Sequence, residues 1–520
     1  MERTPMDISI VRALAVEAQP PSLGDNTGDI DRLKKVLAPL LDGLLPMVPY
    51  ARLATVADCF RGSGFRGAAI VNDLPEGPTV VDFLPASPQV LAGMALDLGT
   101  THLEATLVDL ASGNILCRSD LENGQIQYGA DILSRIHFAT KQEGLACLHA
   151  EIIGCINRLA SELARLAGME AAEIRALSVS GNTTMVHFFL NLSPYHICRE
   201  PYIPMVNAPD PCTALELGLA IHPAAPVWVL PSVGSYFGGD LISGILASGL
   251  DCQEETCMLI DVGTNAEVVV GNREWLMACA GAAGPALEGG VARMGMRAGP
   301  GAIGHVKIDP ESGGIHYTTI GGAKPRGICG SGIIDLVAEL YLNRIIDLRG
   351  KFRPQAASER LVESEEGWRF VVAFGEESAD GNAVALSQVD LDALMRSKAA
   401  MYAILTTLTN QVGVAFGDLH QIYVAGAFGR HIAPRQAIVL GMLPDLPIET
   451  YMPVGNSSLA GARLVLLDRQ ARERCRDLMR KITYIELNVN QEFMIRFSGS
   501  RFIPHTDHSL FPSVPYWESE

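Results

Sequence analysis

The chain has 520 residues and a formal charge of −18, with 58 acidic against 40 basic residues. Apolar residues make up 48% and charged residues 19%, a composition typical of a globular protein of two or three domains. The acidic balance excludes general binding to nucleic acid or to an anionic membrane surface, because such affinity depends on basic residues. No apolar stretch reaches the ~18–20 residues of a membrane-spanning helix, so we expect no membrane segment.

The 11 cysteines are scattered along the chain, and no Cys-x-x-Cys pair occurs. The nearest two, Cys252 and Cys257, have no third cysteine at the spacing of a cluster. The sequence therefore predicts no iron–sulfur cluster and no structural zinc in this chain. Scattered thiols are typical of a reducing cytoplasm, and the first residues lack the long apolar segment of a signal peptide. We therefore expect a cytoplasmic protein.

The first 92 residues predict a short tail followed by a small α+β domain. Residues 1–25 end in a stretch rich in Pro, Gly and Asp, which is typical of a linker. Residues 26–92 begin with apolar residues at helical spacing between Asp29 and Leu45. Three runs that favour strands follow, namely ARLATVADCF, GAAIVND and TVVDFLPA.

Two larger segments carry a repeated strand–turn–strand pattern. Residues 93–255 open with MALDLGTTHLEATLVDL, and residues 256–482 open with MLIDVGTNAEVVVGN. Both runs place Asp-x-Gly-Thr after an apolar strand, so duplication of one supersecondary unit is the simplest explanation. A third glycine turn, QIYVAGAFGRHI, follows a long helix predicted at 391–416. The polar stretch 350–385 predicts a surface excursion, and residues 483–520 form a separate C-terminal segment.

The first repeat has the residue types of a magnesium–nucleotide site. Gly99 lets the backbone turn tightly and approach a phosphate. The N–H groups and hydroxyls of Thr100 and Thr101 can donate to phosphate oxygens. Asp97 can hold Mg²⁺ through water, because Mg²⁺ loses its water reluctantly. An ordinary β-hairpin with a glycine turn has the same residues, so this motif alone does not distinguish the two.

The second and third motifs favour the nucleotide interpretation. The second repeat supplies the same groups from Asp261, Gly263, Thr264 and Asn265. Two such hairpins can grip one polyphosphate from both sides, with Asp261 as a second carboxylate for Mg²⁺. The third motif, with Gly426 and Gly429 after the strand IYV, would offer bare backbone to a flat adenosine.

With these three motifs in this order, residues 94–467 resemble the actin, sugar-kinase and heat-shock-70 ATPase superfamily. The resemblance implies two ribonuclease-H-like α/β halves around an interdomain nucleotide cleft, preceded by the small α+β domain. It also implies ATP and Mg²⁺ as cofactors. Asn182, after the buried strand IRALSVSG, would belong to the cleft by the same analogy.

A more specific resemblance covers about residues 25–515. The chain resembles the reductive activators of corrinoid proteins through LSVSGNTTMVHFFL, AGPALEGG, MRAGPGAI, GICGSGIIDL and ITYIELNVNQEFMIRFSGSRFIPHTDHSLFPS. This resemblance implies an ATP-dependent partner of a corrinoid methyltransferase system, which returns cobalt(II) to the cobalt(I) state. Members of that family usually carry an iron–sulfur module. Because the cysteine spacing here predicts none, a separate low-potential electron donor is implied.

The superfamily resemblance implies roles for two further sites. In related sugar kinases an Asp in a similar place activates the attacking group, so Asp240 would orient or deprotonate the water that attacks the γ-phosphate. The alternative for Asp240 is an N-cap of the helix LISGILASGL. Gly330, Ser331 and Gly332 open the helix IIDLVAELYL. They would either contact the nucleotide or form a tight turn needed for packing.

Two other functions compete with the activator. A small-molecule kinase of the same superfamily would use Asp240 as its base, but no acceptor pocket is recognisable and the C-terminal segment argues against it. An ATP-sensing regulatory or assembly protein is favoured by the missing cluster. The sequence leaves the oligomeric state open, with a homodimer as one alternative.

Overall fold

The computed structural model describes residues 9–263, 265–281, 292–296, 298–356, 359–365, 367–426, 429, 433–487 and 490–517. The chain forms two compact units. The first unit contains Met1–Ala247 and Ser458–Arg480, and the second contains Ser248–Ser457 and Lys481–Glu520. The two units divide at 247/248, a few residues before the predicted boundary at 255/256, and residues 458–480 group with the first unit and not with the predicted second half.

The elements up to Ser248 are nine strands and six helices, besides short 3₁₀ turns. The strands are β1 Val11–Glu17, β2 Arg66–Leu74, β3 Gly77–Leu84, β4 Ala92–Leu98, β5 His102–Asp109, β6 Ile115–Glu122, β7 Leu177–Gly181, β8 Cys212–Thr213 and β9 Pro226–Val229. The helices are α1 Asp29–Leu37, α2 Tyr50–Gly62, α3 Ile132–Ala139, α4 Gly144–Ala167, α5 Thr183–Phe189 and α6 Gly239–Ser248.

The remaining elements among the described residues are six helices and twelve strands, besides short 3₁₀ turns. The strands are β10 Cys257–Val262, β11 Ala266–Gly271, β12 Leu276–Gly281, β13 Ala302–Ile308, β14 Ile315–Thr319, β15 Gly327–Ile328, β16 Leu361–Ser364, β17 Gly367–Ala373, β18 Val384–Ser387, β19 Gln421–Ala425, β20 Tyr451–Gly455 and β21 Ile482–Ile485. The helices are α7 Gly330–Leu342, α8 Gln388–Val412, α9 Pro434–Leu440, α10 Ser457–Leu467, α11 Arg469–Lys481 and α12 Gln491–Gly499.

The small N-terminal domain is a three-stranded antiparallel sheet in the order β1-β2-β3, with α1 and α2 packed beside it. Two predictions are wrong here. Residues 1–25 are not all tail, because Val11–Glu17 pairs along its whole length with β2. ARLATVADCF is a helix and not a strand, since Val56 and Phe60 are spaced four residues apart and are both fully buried on one helix face.

The larger sheet of the first unit has six strands in the order β6-β5-β4-β7-β9-β8. Strand β4 pairs antiparallel with β5 and parallel with β7, so the predicted strand–turn–strand at 94–110 is confirmed. Helix α4 covers this sheet, and its apolar residues Ile152, Leu159 and Leu163 share one buried core with Leu96 and Val179. The turn after β4 is thus fixed to a rigid sheet.

The second unit repeats this arrangement. Its six-stranded sheet has the order β20-β19-β10-β11-β12-β21. Strand β10 pairs antiparallel with β11 and parallel with β19, as β4 does with β5 and β7. The two Asp-x-Gly-Thr turns therefore follow equivalent central strands, which supports the duplication. This mixed α/β topology agrees with the actin-like ATPase fold expected from the sequence.

Two smaller three-stranded sheets complete the second unit, in the orders β14-β13-β15 and β16-β17-β18. Strands β16 and β17 lie within the stretch 350–385, which was predicted as a surface excursion. That prediction is wrong for the core of this sheet, because Phe370, Val372 and Val384 are buried. No helix among the described residues has both the length and the apolar character needed to cross a membrane.

The C-terminal segment is anchored to helix α8. The Nζ of Lys398 is fully buried and donates to the backbone oxygens of Phe502 at 2.6 Å and Pro504 at 2.7 Å. The ring of Tyr402, one turn later, lies 5.2 Å from the ring of Phe511. Residues after 500 are therefore an integral part of the second unit.

Candidate nucleotide site

The first hairpin of the candidate site is held by close backbone packing. Asp97 lies near the end of β4 and is half-buried, and Gly99 follows in the turn. A Cβ at Gly99 would overlap the carbonyl oxygen of His102, so only glycine fits. The Nδ2 of Asn182 donates to the Oγ1 of Thr100 at 3.0 Å. Asn182 also caps α5 by accepting from Met185 N at 3.0 Å.

A chain of buried hydroxyls reaches Asp97 from inside the first unit. Ser243 donates to Ser180 at 2.8 Å, Ser180 lies 2.8 Å from Ser458, and Ser458 donates to Asp97 Oδ1 at 2.7 Å. All three serines are at most 6% exposed. Gly461 permits this arrangement, because a Cβ there would overlap Ser243. The carboxylate is thus oriented by groups that solvent does not reach.

Asp240 lies in the first turn of α6 and is close enough to Asp97 for their charges to interact. Burial raises the pKa of Asp240 to about 6, and the negative charge of Asp97 acts in the same direction. Its Oδ1 accepts from Leu241 N at 2.9 Å. Because α6 already begins at Gly239, Asp240 is not at the N-cap position, and its carboxylate has a raised proton affinity that suits acid–base work.

Gly238 lies in close contact with both Asn182 and Asp240, and no side chain would fit at this position. A Cβ at Gly238 would lie 2.7 Å from Asp240 Oδ1 and would also overlap the Cα of Asn182. Asp97, Thr100, Asn182 and Asp240 are therefore brought together in the first unit by the ends of three elements: β4, β7 and α6. Thr101 also lies in this turn and is half-buried.

The second unit presents a similar set of groups. Asp261 pairs with Ala425 on β19, and Ser457 Oγ donates to Asp261 Oδ2 at 3.3 Å. Gly426 has a φ of +76°, and a Cβ there would lie 2.7 Å from Asp261 Oδ1 and 2.5 Å from Val262 O. Only glycine therefore leaves the side of the Asp261 carboxylate open.

The other residues of the second unit that were predicted to contact the nucleotide are Gly263, Thr264, Asn265 and Gly429. Gly263 N donates to Asn265 O at 2.9 Å, which closes the turn, and Asn265 is exposed. Thr264 lies outside the described residues. Gly429 is buried, and a Cβ there would overlap the carbonyl oxygen of Val424. Its glycine is thus required for packing.

The glycine-rich start of α7 is packed against β13. Ser331 is 6% exposed and donates to Gly304 O at 3.1 Å. A Cβ at Gly332 would overlap Ile303 O. These two residues serve packing, and half-buried Gly330 has the most accessible backbone of the three. Nucleotide contact by this turn stays a prediction.

The residues present fit Mg²⁺ and a polyphosphate. Mg²⁺ prefers carboxylate oxygens and water, and Asp97 and Asp261 each supply a carboxylate beside a glycine turn. Backbone N–H groups and hydroxyls near each carboxylate suit phosphate oxygens. When bound, Mg²⁺ would neutralise phosphate charge. Among the described residues, no group of three or more His, Cys, Asp or Glu side chains is placed to hold a metal directly.

Comparison with known proteins assigns the chain to a family. The model described as the RACo middle region matches residues 92–253, and the model described as the C-terminal domain of RACo, the ASKHA domain, matches residues 255–515. The chain belongs to the RACo family, the reductive activators of corrinoid proteins. The resemblance stated from the sequence is thereby confirmed, and so is the ASKHA, or actin-like ATPase, fold.

Two named relatives extend over most of this RACo-family chain. The corrinoid activation enzyme RamQ of Eubacterium limosum is 30% identical over 479 residues, which cover 90% of this chain and 79% of that protein. The [Co(II) methylated amine-specific corrinoid protein] reductase of Methanosarcina barkeri is 25% identical over 427 residues, 75% of this chain and 73% of that protein.

One solved structure is similar along nearly the whole chain. This structure, of a reductive activator for corrinoid, iron–sulfur protein, is 38% identical in sequence and has a TM-score of 0.92. The match covers 99% of this chain and 82% of that one. The small N-terminal domain, which neither family model covers, is therefore included in this similarity.

Proposed function

We propose that this protein is an ATP-hydrolysing activator that supports the reduction of an inactive cobalt(II) corrinoid protein to the cobalt(I) state in a methyl-transfer system. The observation that carries the proposal is the match over 99% of the chain, at a TM-score of 0.92, to a reductive activator for a corrinoid protein. The proximity of Thr100 to Asn182 and of Asp97 to Asp240 supports ATP hydrolysis as part of the proposal.

Each carboxylate has a proposed role. Asp97 and Asp261 would hold Mg²⁺ through water, each steadied by a serine hydroxyl. Asp240 would orient the attacking water and accept its proton, because a carboxylate with a pKa of about 6 remains largely ionised at neutral pH yet binds a proton readily. The nearby amides and hydroxyls, those of Gly99, Thr100, Thr101, Gly263, Thr264, Asn265 and Gly330, would hold phosphate oxygens. Gly426 would face the adenosine.

Coupling to the corrinoid protein requires a differential affinity. Reduction of cobalt(II) to cobalt(I) is uphill for ordinary cellular donors. Nucleotide can help only if the ATP-bound and ATP-free states of the activator bind the redox or ligation states of the partner differently. We propose that closure around ATP changes the affinity of this protein for the partner when its cobalt centre is four-coordinate.

The partners follow from the same proposal. The corrinoid protein of a methyltransferase system is the proposed substrate, and a separate low-potential protein is the proposed electron donor, which is supported by cysteines that lack cluster spacing. We further propose that the protein is cytoplasmic, and its oligomeric state, for which a homodimer is one alternative, is to be measured. The proposed function involves neither nucleic acid nor a membrane.

The test is an anaerobic reduction assay. Purified protein, a corrinoid protein, a low-potential donor and Mg-ATP are mixed, and visible spectroscopy follows the cobalt state. We expect a cobalt(I) spectrum only when all four are present, and ATP turnover that rises with the corrinoid protein. Phosphate appearing on a small acceptor would support the kinase instead. A complex without turnover or cobalt(I) would support the regulator.

A further inference from the structure

A second cavity lies in the first unit, away from the groups around Asp97. It has a volume of about 340 Å³ and lies where β1 and the β2–β3 hairpin meet α11 and β9. Its polar lining comes from both sides: Arg12, Asp42 and Asp73 from the small domain, and Arg469, Arg472 and Arg476 from α11. Helix α11 is rich in basic residues, which are usually exposed, but Arg472 is only 4% exposed.

Asp73 is already engaged by two of these arginines. Arg469 binds both of its oxygens, with Nε 2.9 Å from Oδ2, and Arg472 lies 2.8 Å from Oδ2. Arg472 also donates to the carbonyl oxygen of Val465 at 2.9 Å. Asp73 is the most buried carboxylate of the cavity, and both of its oxygens bind arginines of α11 and so hold this helix against the small domain. The other two arginines of the lining are Arg12 and Arg476.

Arg12 and Trp228 both line the cavity and each has a buried N–H donor. The Nε of Arg12 and the Nε1 of Trp228 are buried, and neither has an acceptor among the described residues. A buried donor without an acceptor is unfavourable, and a ligand that supplies an acceptor would remove that penalty. The guanidinium of Arg476 lies 6.0 Å from the centre of the Trp228 ring, and no ion pair of Arg476 occurs in the part of the chain that the structure describes.

The charge of the lining is also unusual for this protein. Four arginines face three acids, Asp42, Asp73 and Glu473, which leaves one excess positive charge in a chain of net charge −18. Burial lowers the pKa of Arg12 and the charge of Arg469 acts in the same direction, whereas the charges of Asp73 and Asp42 oppose this shift in part. A further negative group in the cavity would act as Asp73 and Asp42 do. The remaining lining is apolar and includes Leu44, which is 56% exposed.

We propose that this cavity binds a small organic anion, whose phosphate or carboxylate group is held by Arg12 and Arg476 and whose apolar part lies against Leu44, Leu74 and Pro75. Guanidinium groups match both kinds of anion by paired hydrogen bonds. The site is distinct from the nucleotide site. The inference does not depend on corrinoid activation, because its evidence lies entirely in the small domain, β9 and α11.

Binding is measured with nucleotide already present. A saturating non-hydrolysable Mg-ATP analogue fills the nucleotide site, including its γ-phosphate position, so that inorganic phosphate cannot bind there. Inorganic phosphate and citrate are then titrated separately, with calorimetry and tryptophan fluorescence as readouts. Trp228 is the one tryptophan of the four that belongs to the first unit, so its emission reports on this cavity. We expect one of the two anions to bind and to change that emission, and the preferred one identifies the group.

Variants decide whether the signal comes from the cavity. Arg12→Gln and Arg476→Gln should each weaken binding by about ten- to hundredfold, the range for loss of a hydrogen bond to a charged group. Arg480→Gln is the matched control, because Arg480 is exposed on the same helix and outside the cavity, and it should bind as wild type does. Arg476 is itself exposed, so its variant keeps the test valid if Arg12→Gln does not fold.

Two results would overturn the proposal. One is no heat and no change in emission with either anion up to about 10 mM, well above a millimolar dissociation constant. The other is equal binding by wild type, Arg12→Gln and Arg476→Gln, which would place the anion elsewhere. Trp228→Phe should lose the fluorescence change and retain the calorimetric signal.

Discussion

Ser458 donates a hydrogen bond of 2.7 Å to Asp97, although 361 residues separate them in sequence. Ser458 is the second residue of α10 and is in turn bonded to Ser180 on β7. The chain passes from the second unit to the first between Ser457 and Ser458, and Ser457 donates to the other carboxylate, Asp261. Two adjacent serines therefore each orient one of the proposed magnesium carboxylates.

Removal of the Ser458 hydroxyl should loosen Asp97 and weaken its use of Mg²⁺. We expect Ser458→Ala to raise the Mg²⁺ concentration needed for half-maximal ATP binding by roughly fivefold, from the loss of about 1 kcal/mol. Ser178→Ala is the control, because Ser178 is equally buried on β7 and donates to α10 at Ala462 O, 2.6 Å away. Equal shifts in both variants would mean that Ser458 acts only through stability.

The carboxylates at 97 and 261 should be required for nucleotide-dependent stabilisation. A ligand that binds only the native state adds about 2.7 kcal/mol at a hundredfold excess over its dissociation constant. We expect Mg-ATP to raise the melting temperature of wild type and not of Asp97→Asn or Asp261→Asn. Asp120→Asn, on an exposed position of β6, serves as control and should respond as wild type does. A normal response in the first two variants would contradict the site.

Asp240→Asn should separate hydrolysis from binding. If Asp240 accepts a proton from the attacking water, its loss removes an interaction made mainly in the transition state. We expect ATP affinity within about twofold of wild type and hydrolysis reduced by about 10²- to 10⁴-fold, the usual contribution of a general base. Calorimetry and phosphate release measure the two quantities. Wild-type hydrolysis by a folded variant would return Asp240 to a structural role at the start of α6.

Asp82 should make stability depend on acid pH. Burial alone would raise its pKa, but hydrogen bonds from His222 and Arg175 and the charge of Arg175 outweigh burial and lower the pKa well below 3.8. The Arg175 guanidinium lies 2.6 Å from Asp82 Oδ2, and Arg52 lies 3.1 Å from Oδ1. A lowered pKa gives stability that is present above about pH 4 and lost as the pH falls below it.

Replacement of Asp82 tests that dependence. We expect Asp82→Asn to lower the free energy of unfolding by roughly 2–4 kcal/mol near pH 7, because two arginines lose a largely buried partner. The difference from wild type should shrink as the pH falls from about 4 to 3. Urea unfolding at several pH values measures it, with Asp31→Asn, at an exposed position, as control. A difference that does not change with pH would contradict the assignment.

Lys398→Met should release the C-terminal segment. The variant keeps the apolar length of the side chain and leaves two carbonyl oxygens, those of Phe502 and Pro504, without their donor. We expect a loss of about 2–4 kcal/mol, from one to two unsatisfied buried acceptors. Limited proteolysis should then cut residues 490–517 before the rest. Protection equal to that of wild type would show that apolar contacts such as Tyr402 with Phe511 suffice.

Local patterns predicted much of this fold. The turns at Asp97 and Asp261 were found because an apolar strand followed by Asp-x-Gly-Thr is a signal within a few residues. Asp240 was found through family analogy, and its raised pKa adds an independent reason. These features can be predicted because the residues that signal them are adjacent in the sequence.

Other features depend on partners far away in sequence, and no local pattern carries them. The serine chain joins residues 180, 243 and 458, each of which is an ordinary serine in its own segment. Arg472 reads as one basic residue in a basic run, and only its pairing with Asp73, 399 positions earlier, explains its burial. Strand β1 was missed for the same reason, because β2, which pairs with it, begins at Arg66.

The return of residues 458–480 to the first unit has a consequence for synthesis. When the ribosome has completed Ala247, the first unit still lacks α10 and α11, and the whole of Ser248–Ser457 must be made before they emerge. At ~5–20 residues per second this interval is roughly 10 to 40 s. During it, Ser178 and Ser180 lack their hydrogen-bond partners on α10, and the nascent chain exposes the face, including Ser243, that α10 later covers. The first half of the ATPase, although made first, can be completed only after most of the second half has left the ribosome.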